Sequence, residues 1–204
     1  MKDNDLIKAS YEVTSYYLAR VVLMELISVG AKPLAYTLNS SFADHWTELR
    51  EGIENAFKQI GQDNPPHIGS SEKNYPGEQT SIGITILGKI EKAVEKPSCK
   101  DFAVIGIPLV GQELLENETQ SVSLEECLAL SQDPFIGEML PVGSRGIRQE
   151  FETHFHKGIE SDSTLDLDKS AGPSSCLIIS YLPEAKKRLQ IRFGNRISFL
   201  NLVS

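Results

Sequence analysis

Between Ser10 and Val29 apolar side chains recur at spacings of three and four: Val13, Tyr17, Leu18, Val21, Val22, Leu26 and Val29. That period lines one face of an α-helix of about five turns. Gly30 supplies the stop, and Ala31-Lys32-Pro33 turns the chain into an extended stretch from Leu34 to Leu38. A helix with one apolar face must bury it against a second layer, so a helix-then-strand unit opens the fold. Glu25 and Ser28 interrupt the apolar second half of this helix. A carboxylate is costly to bury unpaired. Glu25 therefore meets a basic partner, faces a metal or a solvent-lined cleft, or sits at the edge of the buried face.

Ser40 or Ser41 is placed to cap a second helix, from about Phe42 to Ile60. Trp46, Leu49, Ile53, Phe57 and Ile60 form its apolar stripe; Glu48, Arg50, Glu51, Glu54 and Lys58 form its wet face. Strands are expected at Thr80–Ile90 and Phe102–Leu109, with a charged, Pro-containing connection between them. Ser123-Leu124-Glu125-Glu126 fits a capping box at the start of another helix. A further helix runs to about His156, and Glu160 to Asp168 reads as an acidic loop. A strand from Cys176 to Tyr181, a short basic helix from Pro183 to Gln190 and a strand from Ile197 to Val203 close the chain. Helices and strands do not alternate strictly, which favours an α+β fold, a mixed sheet packed against helices, over a doubly wound one.

Composition narrows the function. The net charge of -8 argues against nucleic acid as a partner. Lys186, Lys187 and Arg188 make only a short solvated cluster. The three cysteines show no Cys-x-x-Cys spacing and no disulfide framework. The polar, acidic start is unlike a targeting peptide, and no apolar run approaches the roughly 20 residues that span a bilayer. A soluble, cytoplasmic protein without a membrane partner is expected. His154 and His156 point apart on a helix and share no evident third metal ligand. Gly-x-Ser-x-Gly, a Walker loop and Gly-x-Gly-x-x-Gly are all absent.

Two stretches carry chemistry. Ile68-Gly69-Ser70-Ser71-Glu72-Lys73-Asn74-Tyr75-Pro76 lies between a helix pattern and a strand pattern. Such a segment can set backbone N–H groups and small hydroxyls against a phosphate while Glu72 meets the accompanying metal. An ordinary surface loop uses the same residues. Pro141-Val142-Gly143-Ser144-Arg145-Gly146-Ile147 opens a helix, where N–H groups and the helix dipole favour an anion and Arg145 adds charge. A cap without a ligand has the same sequence signature.

Leu23-Met24-Glu25-Leu26-Ile27-Ser28-Val29-Gly30-Ala31-Lys32-Pro33 resembles the helix-to-strand passage of the aminoimidazole ribonucleotide synthetase superfamily. That superfamily also holds thiamine-monophosphate kinase, selenophosphate synthetase and a hydrogenase maturation protein. With Gly69 to Asn74, Pro141 to Ile147 and Lys169-Ser170-Ala171-Gly172-Pro173, the sequence is most similar to its alpha-ribazole kinase branch, which acts in cobalamin salvage. The resemblance implies an α+β domain of the synthetase N-terminal type, pairing through its sheets into a homodimer with ATP near the interface. It implies residues 1–160 as the ATP-binding domain and residues 161–204 as a small β-α-β appendage.

The implied activity is ATP- and magnesium-dependent phosphoryl transfer to a nucleoside-like hydroxyl, with alpha-ribazole as the small-molecule substrate. Glu25, Glu72 and Asp5 are the implied Mg2+ ligands. Ser70, Ser71 and Asn74, with Gly143, Ser144, Arg145 and Gly146, are the implied nucleotide and phosphate contacts, and Ser170 and Gly172 the substrate contacts. Two departures stand out: the chain starts almost at the first helix, without the usual Asp-rich strand, and Ser70-Ser71 stand where relatives carry glycines. A nucleotide-binding or scaffold relative that has lost catalysis is the alternative those departures suggest.

Overall fold

The computed structural model describes residues 2–203 apart from Ala43, Asn64, Lys73, Tyr75, Pro76, residues 92–94, Asp162 and Ser163. It divides into two compact units, Met1–Leu26 with Ala31–Lys92 and Ile27–Gly30 with Ala93–Ser204.

In the first unit α1 (Tyr11–Ser28) ends as its sequence predicts. Gly30 takes φ 74°, its N–H bonds Ile27 O, and Ala31 N bonds Leu26 O at 2.8 Å. This pair of bonds satisfies the last carbonyls of the helix. The chain then enters β1 (Lys32–Ser40), the centre of a three-stranded sheet. β2 (His67–Ser71) pairs parallel to it and β3 (Ile82–Lys89) antiparallel. Parallel neighbours need a crossover, and α2 (Trp46–Gln59) provides it. Tyr36, Leu38 and Ile86 turn one face of the sheet inward, and Leu23, Met24, Ile53 and Phe57 are buried with them. At Gly52 α2 comes close to α1: a Cβ there would lie 2.0 Å from Glu12 O.

The first part of the expected loop Ile68–Pro76 is therefore strand. Its Gly and Ser residues are poor strand formers, but pairing with β1 supplies backbone bonds that ask nothing of side chains. Lys73, Tyr75 and Pro76 lie outside the described residues. Neither Ser40 nor Ser41 caps α2. His45 takes the cap position at φ 63°; its side chain bonds no backbone N–H of the helix but pairs through Nδ1 with Glu48 Oε1 at 2.9 Å. Ser40 Oγ bonds Phe42, and Ser41 Oγ accepts from Ser81 N.

The second unit is a five-stranded antiparallel sheet in the order β5-β7-β4-β8-β6. The strands are β4 (Asp101–Ile105), β5 (Ile136–Pro141), β6 (Gly158–Ser161), β7 (Leu177–Tyr181) and β8 (Ile197–Val203). Every residue of β7, which lies between β5 and β4, is buried. On one face α5 (Gly146–Phe155) sets Phe151 and Phe155 within 4.9 Å of the Phe102 ring. α3 (Gly111–Glu116), α4 (Leu124–Ser131) and α6 (Lys186–Phe193) complete the unit. The expected capping box is formed: Ser123 Oγ accepts from Glu126 N while Ser123 N donates to Glu126. Arg196 of the β8 approach closes on the same carboxylate.

This partition differs from the expected domains 1–160 and 161–204. β7 and β8, from the expected appendage, flank β4 and bury it, so residues 161–204 share one core with the residues before them. β5 and β6 were not expected as strands. Neighbouring strands select them, Glu160 in β6 pairing with Asn201 of β8 although the stretch reads as acidic loop.

Candidate functional site

The C-terminal ends of the parallel strands β1 and β2 lie side by side, with the start of β3 beside them. Polar residues from four segments meet there. Ser71 pairs with Ser40, and Glu72 N continues the ladder by donating to Ser40 O at 2.9 Å. Glu72 Oε1 then accepts from Asn74 N at 2.6 Å, folding the segment back on itself. Ser41 N donates to Ser81 O at 2.9 Å. Asp5 joins from the N-terminal segment, accepting from Thr80 N at 2.7 Å, Thr80 Oγ1 at 2.6 Å and Lys2 N at 2.7 Å. Those bonds, the Thr80 hydroxyl first, hold its carboxyl down to about 2.

Of the expected first-unit contacts, Asp5, Ser70, Ser71, Glu72 and Asn74 are thus gathered at one end of the sheet. Ser70 and Ser71 are consecutive in a strand and point to opposite faces, so their hydroxyls do not converge on one group. Gly69 faces the helices, and a Cβ on it would lie 1.9 Å from Trp46 Cζ2. The sole tryptophan therefore rests against the strand that leads into Ser70–Glu72.

Glu25 is elsewhere. The ring of Tyr11, which opens α1, lies 4.9 Å from that of Phe42, just past the end of β1. Leu26 lies beside Ala31 and Gly88, at the start of β1. Seven residues of strand, roughly 23 Å at 3.3 Å each, separate that region from Ser40. Magnesium takes its ligands at about 2.1 Å. Glu25 and Glu72 of one chain therefore do not share an ion, and Glu25 is exposed on its helix. Among the described residues no group of three or more His, Cys, Asp or Glu side chains could hold a metal ion. Glu72, with one carboxylate oxygen free of its bond to Asn74, is the residue here that would hold magnesium, and further oxygen ligands would have to come from a bound phosphate. Ser40, Ser41 and Thr80 belong to this end of the sheet and were not singled out from the sequence. The Ser40-Ser41 pair at the end of an alternating stretch is the available signal, although the same pair also fits a helix cap.

In the second unit the structure brings the other two expected segments together. Ala171 N donates to Gly143 O at 3.1 Å, and a Cβ on Gly172 would lie 3.9 Å from Ser144 N. Gly172 N and Ser170 Oγ are 3.4 Å apart. Gly146 is required here, with φ 80° and room for a Cβ only 2.9 Å from Asp168 O. The charge is largely committed. Arg145 forks onto Glu150 at 2.7 and 3.2 Å, and Arg148 onto Asp168 at 2.8 and 3.3 Å. Lys169 reaches both oxygens of Glu113 at 2.6 and 2.7 Å, which depresses that carboxyl below its ordinary range. The α5 N–H groups are partly used as well, Gly146 on Gly143 O and Arg148 on Leu167 O. The expected anion site therefore has its backbone frame, and its nearest cations are already paired.

No protein-family model matches the sequence, and neither does any curated protein. Solved structures do match. Escherichia coli HypE, a hydrogenase maturation protein, is 13% identical with a TM-score of 0.68, over 99% of this chain and 77% of that one. Thiamine-monophosphate kinase from Stenotrophomonas maltophilia is 14% identical with a TM-score of 0.56, over 99% and 79% of the two chains. Thermotoga maritima PurL complexed with AMPPCP is 18% identical with a TM-score of 0.53, over 92% of this chain and 32% of that one. The α+β fold is that of aminoimidazole ribonucleotide synthetase-like proteins. No helix among the described residues is long and apolar enough to cross a membrane.

Proposed function

We propose that this chain binds ATP with magnesium and transfers a phosphoryl group to the hydroxyl of a small nucleoside-like acceptor, alpha-ribazole being the acceptor that its resemblance to the alpha-ribazole kinase branch implies. The observation that carries the proposal is the gathering of Ser70, Glu72 and Asn74 with Ser40 and Ser41 at one end of β1 and β2. The likeness in fold to a kinase and to a protein solved with an ATP analogue supports it. Little covalent chemistry falls to the protein in phosphoryl transfer, so positioning and charge neutralisation carry the rate. Glu72 is assigned to Mg2+, which would offset charge on the phosphates. Ser70 and Asn74 are assigned to the nucleotide. Within the second unit, Gly143, Ser144, Arg145 and Gly146 are assigned to a phosphate, and Ser170 and Gly172 to the substrate.

A homodimer belongs to the same proposal. The open face of the three-stranded sheet carries Ile68, 75% exposed, and Leu87, 60% exposed, beside Thr37 and Thr85. A second copy laid on that face would cover them.

The second reading, a nucleotide-binding relative without turnover, is favoured by Asp5, whose oxygens are already occupied by three donors. A thermal melt with and without MgATP, then phosphate accounting with alpha-ribazole, separates the two. Stabilisation with transfer supports the kinase. Stabilisation without transfer supports the binding protein, and no stabilisation refutes both.

A further inference from the structure

The segment Lys2–Asp5 lies along Gly77–Thr80, although some 75 residues separate them in sequence. Lys2 Nζ donates to Gly77 O at 2.6 Å, and Gln79 Nε2 donates to Asn4 O at 2.9 Å. The Lys2 ammonium also stands 5.5 Å from the centre of the Phe42 ring. Asp5 is the closure of this strap, since it takes both the N–H and the hydroxyl of Thr80 and ties Lys2 N to the same carboxylate. Beyond Thr80 the bonds run on without a gap. Ser81 and Ser41 exchange two hydrogen bonds, and the neighbouring Ser40 O receives Glu72 N.

We infer that Asp5 is a positioning residue: through Thr80, Ser81, Ser41 and Ser40 it sets the backbone that carries Glu72, and it does not ligate the metal. A carboxylate has about four acceptor positions, and charge-assisted bonds of 2.6 to 2.7 Å already use three of them. Thr80 is its working partner, since the hydroxyl and amide of one residue bind the two oxygens of the other. The inference deepens the proposed nucleotide site and rests on it for the affinity arm of its test. The exchange arm needs no ligand.

The test compares Asp5→Ala, Thr80→Val, the double variant and Thr80→Ser in the full chain. Amide hydrogen exchange is read at Thr80 and Ser81 without ligand. MgATP affinity is read from Trp46 emission across a magnesium series. Asp5→Ala and Thr80→Val are each expected to speed exchange at both amides and to weaken MgATP by roughly tenfold. The double variant should be no worse than Asp5→Ala alone, because the Thr80 hydroxyl bond is one of the three that Asp5→Ala removes. Thr80→Ser keeps the hydroxyl and should behave as the parent, and any shift of the magnesium midpoint should run in the same direction in Asp5→Ala and Thr80→Val, since both act through the backbone of Glu72. The inference is overturned if Asp5→Ala moves the magnesium midpoint while Thr80→Val does not. It is equally overturned if Thr80→Val leaves exchange unchanged. Should the parent chain show no affinity for MgATP, the proposed function fails, and exchange alone decides the clasp.

Discussion

Gly69→Ala tests the packing that holds the site strand in place. A Cβ on Gly69 would stand 1.9 Å from Trp46 Cζ2 and 2.5 Å from Cη2, well inside contact distance. The indole is rigid, so relief requires the whole ring or β2 to move. Overpacking of this kind costs about 1–3 kcal/mol. The added methyl also removes freedom from the unfolded chain, which returns about 0.4–1 kcal/mol. The expected net loss is thus roughly 0–2.6 kcal/mol, and the gap from a variant carrying the entropic gain alone is about 1–3 kcal/mol. Gly83→Ala is the matched control: it sits in β3 of the same sheet, and nothing lies within 4 Å of its Cβ position. It carries the entropic gain alone and should be neutral or stabilising by about 0–1 kcal/mol. Urea unfolding followed by Trp46 emission reports this unit specifically, because the chain has one tryptophan. Equal midpoints for the two variants, with unchanged Trp46 emission, would refute the reasoning.

Two further outcomes are expected. Glu126→Gln should cost about 1.5–3 kcal/mol by calorimetry, since the carboxylate both closes the α4 cap and receives Arg196. Burial pushes the Glu126 carboxyl up, but the bonds from Arg196 and Ser123 outweigh it and hold it below 4.5. Its contribution is therefore complete above pH 4.5 and fades as pH falls through the depressed value, so the parent chain, unlike the variant, should lose this increment on acidification. Leu87→Glu places a charge on the open sheet face and should convert a dimer to monomer by light scattering, with Thr85→Ser as an unaffected control.

Much of the fold was legible because its signals are local. The period of Val13 to Val29, Gly30 as a stop, and the Ser123–Glu126 box each depend on neighbours a few residues away. β2, β5 and β6 were not legible, since their strand state comes from partners such as Tyr36, Ile179 and Leu202, far away in sequence. The same limit governs the site. Glu72 and Asn74 announce themselves within a short polar stretch. That Asp5 spends its carboxylate on Thr80, and that Glu25 lies a strand's length from Glu72, are facts of tertiary placement. Glu25 suits a metal by type but is kept apart from Glu72, whereas Asp5 lies at the same end of the sheet with its carboxylate engaged by Thr80 and Lys2.

The central claim is that the joined ends of β1 and β2 bind nucleotide through Glu72 and magnesium. The most direct measurement is a titration of MgATP against Trp46 emission, in the parent chain and in Glu72→Gln. The account predicts saturable binding that depends on magnesium in the parent, and loss of that dependence in the variant. Absence of binding by the parent, or a variant that keeps the parent's affinity and magnesium dependence, would contradict it.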